Sequence, residues 1–262
     1  MDVFTLRSDI PRTHFAPQWN VIFRRFKFEG NLPAIRNWMI GKEEELLNLP
    51  VTHDAGTGVS EESLTTRFGR YNVFDYVDEC PELNNLMQFL RLSYMDYIRY
   101  EEVPLVELDI SCWYNILRDG EGMTEHVHST TSDSYLSGNM QLSEFPTSTK
   151  YRAPLDYFGG MHVQNEPGHL VMFPSYIPHS VDGEYTGKRL SLAFDLAAAG
   201  LPHMMNSNDP DEPAWPVKRL PFMNAPIYSE MIEADRLKNE ANARMPEQVP
   251  GIWTGGSIVV NT

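Results

Sequence analysis

Hydrophobic and polar residues follow two different spacings in the middle of the chain. Between Pro81 and residue 102 the apolar positions recur every three or four residues, at Leu83, Leu86, Met87, Leu90, Tyr94 and Tyr97. This spacing is typical of one face of an amphipathic helix, and Pro81 suits its first turn. From Leu105 to Ile116 apolar and polar residues alternate, which is typical of a β-strand. The pattern therefore predicts a helix that packs on a sheet.

Further short strand-like runs follow, separated by turns. The predicted strands are 125–128, 134–142, 151–158, 169–173 and 188–196. The turns between them contain Gly159-Gly160, Pro167-Gly168 and Asp182-Gly183. Short strands at spacings of about 8–12 residues, with no helices between them, are typical of an all-β sandwich or barrel. The predicted fold class is mainly β, a jelly roll with flanking α-helices.

The two ends of the chain have less regular patterns. Residues 1–80 mix short apolar runs with turn clusters, and no element is assigned there. Residues 200–262 are rich in Pro and Asn, and 229–244 is predicted to form one charged helix capped by Ser229. We expect one domain over 1–262, made of a mixed N-terminal segment (1–104), a jelly-roll core (about 105–197) and a C-terminal arm (198–262). The arm could serve as a lid or as a contact in a homodimer.

Composition narrows the classes of function. The 262 residues are 42% hydrophobic and carry a net charge of −15, so the chain can fold but lacks the excess of Lys and Arg that nucleic acids or anionic membranes require. Two cysteines exclude a disulfide framework or a Cys-ligated zinc site. No leader-like start or run of about 18 apolar residues occurs. We therefore expect a soluble, cytoplasmic protein that binds a small molecule.

Two of the eight histidines stand close together in a predicted strand. His126 and His128 are two residues apart, so a strand would point both imidazoles to one face, as metal ligation requires. The alternative is a polar strand face with two solvated histidines. A third histidine, His179, follows a buried strand and a Pro-bounded turn. The others are expected to be surface, turn or loop residues without a functional partner: His14, His53, His162, His169 and His203.

An arginine follows His179 after ten residues. Arg189, Ser191, Ala193 and Asp195 share one face of the predicted strand, and a hairpin through Asp182-Gly183 would bring Arg189 beside His179 inside the barrel. A buried guanidinium needs an anion; a carboxylate is the natural partner, and the Ser191 hydroxyl can add a donor. The alternative is that Arg189 pairs with Asp182 or Asp195 on the surface.

These residues together resemble the iron(II)- and 2-oxoglutarate (2OG)-dependent oxygenases. The shared pattern is H-x-H, a distal His, and an Arg with R-x-S ten residues later. N-x(6)-G-x(3)-H-x-H from Asn115, L-S-G from Leu136 and G-x-L-V-x-F-P-S-x-x-x-H from Gly168 resemble the oxygenase branch of phages and bacteria that is related to prolyl hydroxylases. The resemblance covers about residues 110–196, and weakly 63–74.

The resemblance implies a double-stranded β-helix, the jelly roll of this family, and a set of cofactors. His126, His128 and His179 would hold Fe(II), with 2OG and O2 as co-substrates. The far carboxylate of 2OG would meet Arg189 and Ser191, and further polar contacts to 2OG are assigned to Asn115 and Gln141. Apart from the resemblance, Trp113, Tyr135 and Arg67 could line a substrate pocket, and the alternative for each is ordinary packing.

One position departs from the superfamily. Most members carry a carboxylate two residues after the first histidine, which gives a 2-His-1-carboxylate iron site. Here that position is His128. Either three histidines form the site, or a nearby carboxylate such as Asp133 replaces His128.

Three functions compete at this point. The first is an oxygenase that oxidises a C–H bond of an amino acid or natural-product intermediate and releases succinate and CO2. The second is a three-histidine, cupin-like dioxygenase that does not use 2OG, and the third is a non-catalytic metal-binding jelly roll. Arg189 with Ser191 is the feature that distinguishes the first from the others.

Overall fold

The computed structural model describes residues 2–155, 159–199, 215–220 and 222. The helix predicted over 229–244 lies outside them. The strands are β1 (Asp2–Arg7), β2 (Asn20–Lys27), β3 (Leu108–Leu117), β4 (Met123–His126), β5 (Leu136–Gln141), β6 (Thr147–Arg152), β7 (Gly160–Asn165), β8 (His169–Pro174), β9 (His179–Val181), β10 (Arg189–Ala198) and β11 (Lys218–Leu220). The helices are α1 (Leu32–Leu47), α2 (Glu82–Tyr100) and two short 3-10 turns, Leu64–Arg67 and Val73–Tyr76.

The strands form two antiparallel sheets. The major sheet has seven strands in the order β1-β2-β8-β5-β10-β3-β11, and the minor sheet has four in the order β4-β9-β6-β7. At the centre of the major sheet, β10 pairs with β3 along its whole length, from Arg189 opposite Leu117 to Ala198 opposite Leu108. The predicted fold class is confirmed: the chain is mainly β, with a jelly-roll double-stranded β-helix and flanking helices.

The helix predicted over 81–102 is confirmed as α2. Its buried residues follow the predicted stripe and include Leu83, Leu86, Leu90, Tyr94 and Tyr97. The preceding helix, α1, begins after Asn31, whose side chain accepts a hydrogen bond from the Ala34 N–H, and a proline occupies its first turn. Neither described helix combines the length and the apolar content needed to cross a bilayer.

Two faces of the major sheet have different neighbours. The outer face packs against α1 and α2 in one hydrophobic cluster, to which α1 contributes Ile35 and Met39 and β10 contributes Leu192 and Phe194. Gly138 on β5 lies opposite Phe194, and a Cβ at this glycine would stand 2.3 Å from the Phe194 ring. The glycine therefore makes room for the ring. The inner face turns toward the minor sheet, and a second cluster there includes Phe23, Tyr151 and Phe173.

Several predicted boundaries are wrong. The run 151–158 is not a strand over its length, because β6 ends at Arg152. His162, predicted in a turn, lies in β7 opposite Lys150. In β3 both faces are buried, since helices cover one side and the barrel interior receives the other. The N-terminal elements β1, β2 and α1 had no prediction; in β2 the polar Arg24 is buried and interrupts the alternation that would identify a strand.

Candidate active site

Three histidines converge between the two sheets. His126, His128 and His179 each offer a ring nitrogen, and these atoms all lie within 4.8 Å of one another. The ring centroids are 4.3 Å apart for His126 and His179, and 5.0 Å apart for His128 and His179. Among the residues that the structure describes, Asp133 is not part of this cluster. The donor set is therefore three imidazoles.

Strand pairing brings the three side chains together. His126 ends β4 and lies opposite His179 at the start of β9. His128 stands two residues beyond the end of β4, where the backbone N–H groups of His128 and Ser129 donate to the Ser175 carbonyl at 3.0 and 3.1 Å. The prediction that His128 lies within a strand is thus wrong. The rings of His126 and His128 nevertheless stack, with centroids 5.6 Å apart and an interplanar angle of 18°.

The hydrogen bonds of the three rings fix their tautomers. Nδ1 of His126 lies 2.8 Å from the Thr124 carbonyl oxygen, and Nδ1 of His179 lies 3.0 Å from that of Ile177. Nδ1 of His128 lies 2.5 Å from Oδ1 of Asp195. Because carbonyl oxygens only accept, Nδ1 of His126 and His179 carries the proton, and the carboxylate oxygen of Asp195 is an acceptor that favours the same tautomer of His128. All three Nε2 lone pairs are then available to a metal ion.

Burial keeps His126 and His179 in the neutral form that binds metals. It lowers the pKa of His126 to about 4, with the neighbouring His128 as the second cause. The same effect holds the pKa of His179 well below its ordinary value, and the nearby His126 and His128 add to it. Neutral histidines need not lose a proton before they bind a metal ion.

Arg189 is a buried cation with no carboxylate beside it in the described part of the chain. Its side chain is 3% exposed, and its Nη1 donates to Ser191 Oγ at 3.2 Å. Its Nε has no hydrogen-bond acceptor among the described residues. Burial lowers the pKa of this guanidinium to about 10. The surface pairings considered above do not occur: Asp182 bridges to Lys150, and Asp195 binds His128.

The histidines and Arg189 line the same cavity, which has a volume of about 580 Å³. Ser191, Asn115 and Trp113 also line it, as predicted for residues on the inner faces of β3 and β10. Asn115 Oδ1 accepts a hydrogen bond from Thr65 Oγ1 at 2.8 Å. This bond leaves the Asn115 amide nitrogen without an acceptor among the described residues.

Aromatic rings form one wall of the cavity, which we call the aromatic wall: His53, Phe68, Trp113 and Trp215. Trp113 lies 5.8 Å from His128 and 5.6 Å from Phe68 between ring centroids. Phe68 in turn contacts Trp215 at 4.6 Å and His53 at 5.1 Å. The expectation that His53 has no partner is therefore wrong. The sequence offers no local signal for this wall, because its members come from four separate segments.

Three of the predicted site residues do not line the cavity: Arg67, Tyr135 and Gln141. Arg67 is buried, but its guanidinium donates to the backbone carbonyls of Leu47, Leu49 and Ser63 at 3.2–3.3 Å. It thereby holds in place the segment that joins α1 to the 3-10 turn Leu64–Arg67, instead of reaching toward a substrate. The Tyr135 hydroxyl forms a hydrogen bond with that of Tyr94 on α2 at 2.8 Å.

Gln141, which is predicted to contact 2OG, is also absent from the cavity lining. It is buried, and its Nε2 donates to the Phe145 carbonyl at 3.2 Å. Its Oε1 has no hydrogen-bond donor among the described residues.

The core of the chain matches a known family. Residues 111–195 match the family model described as "Putative 2OG-Fe(II) oxygenase". The match covers less than half of the chain and includes the three histidines, Arg189 and Ser191. No curated protein matches the sequence.

Three solved structures illustrate what the chain is similar to. A prolyl-4-hydroxylase from Pseudomonas putida is 17% identical, with 68% of this chain and 93% of that chain covered and a TM-score of 0.44. The non-heme alpha-ketoglutarate-dependent epimerase SnoN from nogalamycin biosynthesis is 12% identical, with 75% and 90% covered and a TM-score of 0.46. A Trichoplax adhaerens prolyl hydroxylase in complex with a peptide is 12% identical, with 67% and 83% covered and a TM-score of 0.39. Similarity at this level says nothing about the substrate.

The family match and the geometry agree. Three imidazole nitrogens suit a ferrous ion, and a buried guanidinium without a protein carboxylate suits an anionic co-substrate. Residues 111–195 are therefore similar to 2OG-Fe(II) oxygenases, which are oxidoreductases that use Fe(II), 2OG and O2, and the histidines and Arg189 suit these cofactors.

Proposed function

We propose that this 2OG-Fe(II) oxygenase oxidises a C–H bond of a small molecule, an amino acid or a natural-product intermediate, and releases succinate and CO2. The observation that carries the proposal is the buried Arg189 guanidinium, which lines the same cavity as the three histidines. When bound, Fe(II), 2OG and O2 supply the oxidising chemistry. The protein binds and orients them.

Arg189 and Ser191 are the residues that would bind the far carboxylate of 2OG. Removing a guanidinium from water is costly unless an anion meets it, and Ser191 Oγ is a neutral partner. A carboxylate can accept from the guanidinium and from the serine hydroxyl together. The inner face of β10 therefore has a binding site for one end of a dicarboxylate, and the histidines lie in the same cavity for its other end.

The cavity and its aromatic wall support a small-molecule substrate. A volume of about 580 Å³ lies within the usual range of small-molecule sites. Trp113 and Phe68 present apolar surface next to His128, and Trp215 extends that surface outward. Rings in these positions exclude water from the metal centre and give an apolar part of a substrate a place to pack.

The two competing functions do not account for Arg189. A three-histidine dioxygenase without 2OG would bind iron equally well, but it would leave the buried guanidinium without an anion. A non-catalytic metal-binding jelly roll has the same difficulty. Because a desolvated cation lowers stability unless it is paired, its presence favours the function that pairs it.

The test is coupled measurement of oxygen consumption and succinate formation. Without a substrate, we expect the wild-type protein with Fe(II) and 2OG to form succinate slowly. Succinate should form faster when an added pool of amino acids or natural-product intermediates contains the substrate. Arg189→Met should abolish this activity. Lys188→Met is the matched control. Lys188 directly precedes Arg189, but its side chain is 48% exposed and its ion pair with Glu43 is long at 3.8 Å.

Two outcomes would contradict the proposal. Oxygen consumption without succinate would indicate the three-histidine dioxygenase. Succinate formation that survives Arg189→Met unchanged would show that the guanidinium does not hold 2OG.

A further inference from the structure

A buried carboxylate stands behind one of the three histidines. Asp195 on β10 is 6% exposed, and its Oδ1 lies 2.5 Å from Nδ1 of His128. Ser137 Oγ donates to the same oxygen at 2.5 Å. Within the described ranges no lysine or arginine forms an ion pair with Asp195, and His128 is the titratable group that hydrogen-bonds to it.

Such a carboxylate needs a compensating positive charge. An ionised carboxylate in a water-poor interior is unfavourable unless it is paired and hydrogen-bonded. A serine hydroxyl supplies a hydrogen bond but no charge. A metal ion on the Nε2 side of His128 would supply the charge, transmitted through the ring.

We propose that Asp195 is a positioning residue that supplies, through His128, the negative charge that a ligand carboxylate gives to a 2-His-1-carboxylate iron site. The inference rests on the proposed metal site but goes beyond it. Asp195 holds His128 with Nδ1 protonated and Nε2 turned to the metal. It also offsets the extra positive charge that three neutral ligands leave on a ferrous ion.

Strand register supports this role. Asp195 on β10 lies opposite Ser137 on β5, and Ser137 lies opposite Phe173 on β8. Ser137 Oγ is 2.9 Å from the Ser175 hydroxyl, and the Ser175 carbonyl accepts from the backbone N–H of His128. The carboxylate and the loop that carries His128 are thus tied to the same pair of serines, which fixes their relative position.

The first test compares metal affinity in Asp195→Asn and the wild-type protein. Asn keeps the shape and an acceptor oxygen but removes the charge. We expect Fe(II) or Co(II), titrated anaerobically by calorimetry without 2OG, to bind about 10- to 100-fold more weakly. Asp182→Asn is the matched control, since it removes one half-buried charge near β9 that pairs with Lys150, and it should bind within about twofold of wild type because such a surface ion pair interacts weakly with the site.

The second test moves the carboxylate. In a His128→Asp background a ligand carboxylate already supplies the charge, and no imidazole remains for Asp195 to orient. We therefore expect Asp195→Asn to leave metal affinity unchanged or to raise it in that background. An equal loss in both backgrounds would overturn the proposal, because Asp195 would then act without His128.

A third variant, Ser137→Ala, keeps the proposal testable if Asp195→Asn does not fold. Ser137→Ala keeps the carboxylate but removes its hydroxyl donor, and we expect about fivefold weaker metal binding. Circular dichroism of the metal-free proteins checks that each is folded. If Asp195→Asn does not fold, wild-type affinity in Ser137→Ala overturns the proposal; if it folds, wild-type affinity in Asp195→Asn does so.

These measurements are independent of the proposed function. Metal titration without 2OG tests Asp195 alone, whereas the response of the wild-type metal complex to 2OG tests the oxygenase assignment. A protein that ignores 2OG but loses metal affinity in Asp195→Asn would refute the proposed function and support Asp195. If the wild-type protein binds 2OG but Asp195→Asn keeps the wild-type metal affinity, the proposed function is supported and the role of Asp195 is refuted.

Discussion

The two faces of β10 are equally buried but have opposite chemistry. The outer face packs into the helix-covered cluster with Leu190, Leu192, Phe194 and Leu196. The inner face carries Arg189, Ser191, Ala193 and Asp195, and all four line the cavity. Burial alone therefore does not separate structural from functional residues here. The side on which a buried residue points separates them.

The difference is energetic as well as chemical. Each large apolar side chain on the outer face contributes about 1.5–3 kcal/mol through burial. The inner face holds a guanidinium and a carboxylate that are desolvated, and this lowers stability until ligands pair them. The outer face thus offsets the cost of the inner one. Variants on the two faces should separate stability from binding.

The largest effect is expected on the outer face, at Phe194. Phe194→Ala removes a ring that is 1% exposed and fills the space over Gly138, so the free energy of unfolding should fall by about 3–5 kcal/mol. Chemical denaturation of the metal-free protein measures this. At low temperature, the fraction that remains folded should bind metal within about threefold of wild type, because the Phe194 ring packs in the outer-face cluster and does not line the cavity. A selective loss of metal affinity in the folded protein would break the comparison.

The next effect is expected on the inner face, at Arg189. Arg189→Met should weaken 2OG binding by about 2–4 kcal/mol, because it removes a charged donor from a buried carboxylate. The thermal midpoint of the metal-free protein should stay the same or rise, since a desolvated cation is lost. Binding calorimetry and a thermal melt on one preparation give both values. A fall in the midpoint with 2OG affinity retained would place Arg189 among the structural residues.

The smallest effect is expected at Asn115 on β3. It lines the cavity but already accepts a hydrogen bond from Thr65, so Asn115→Ala should weaken 2OG binding by only about 1 kcal/mol. Gln141→Ala should have less effect on 2OG affinity, because Gln141 does not line the cavity and its side-chain nitrogen donates to the Phe145 carbonyl. The reverse order of the two effects would contradict this ranking.

The spacing of apolar residues predicted the elements in which that spacing is regular along the whole element. The helix α2 and the strand β3 have clear spacings, and the three histidines and Arg189 all lie between positions 126 and 189, where short motifs identify them. Strands β1 and β2 were not predicted, because β2 buries Arg24 among apolar residues.

Contacts between distant segments were not predictable from the sequence. The aromatic wall joins His53, Phe68, Trp113 and Trp215, and only the fold brings them together. Asp195 was identified as an inner-face residue, but its contact with His128 depends on the loop after β4, which leaves the strand at His126. Arg67 is predicted to contact the substrate because the sequence does not distinguish an arginine that reaches a ligand from one that donates to backbone carbonyls and to Thr66 Oγ1.

The central claim is that the inner face of the barrel binds iron and 2OG together. The most direct measurement is an anaerobic titration of the metal-free protein with Fe(II) and then with 2OG, followed by visible absorption. We predict a charge-transfer band of a chelated keto acid in the wild-type protein, and a weakened band in Arg189→Met and in His128→Ala. Iron binding without any band in the wild-type protein would contradict the claim.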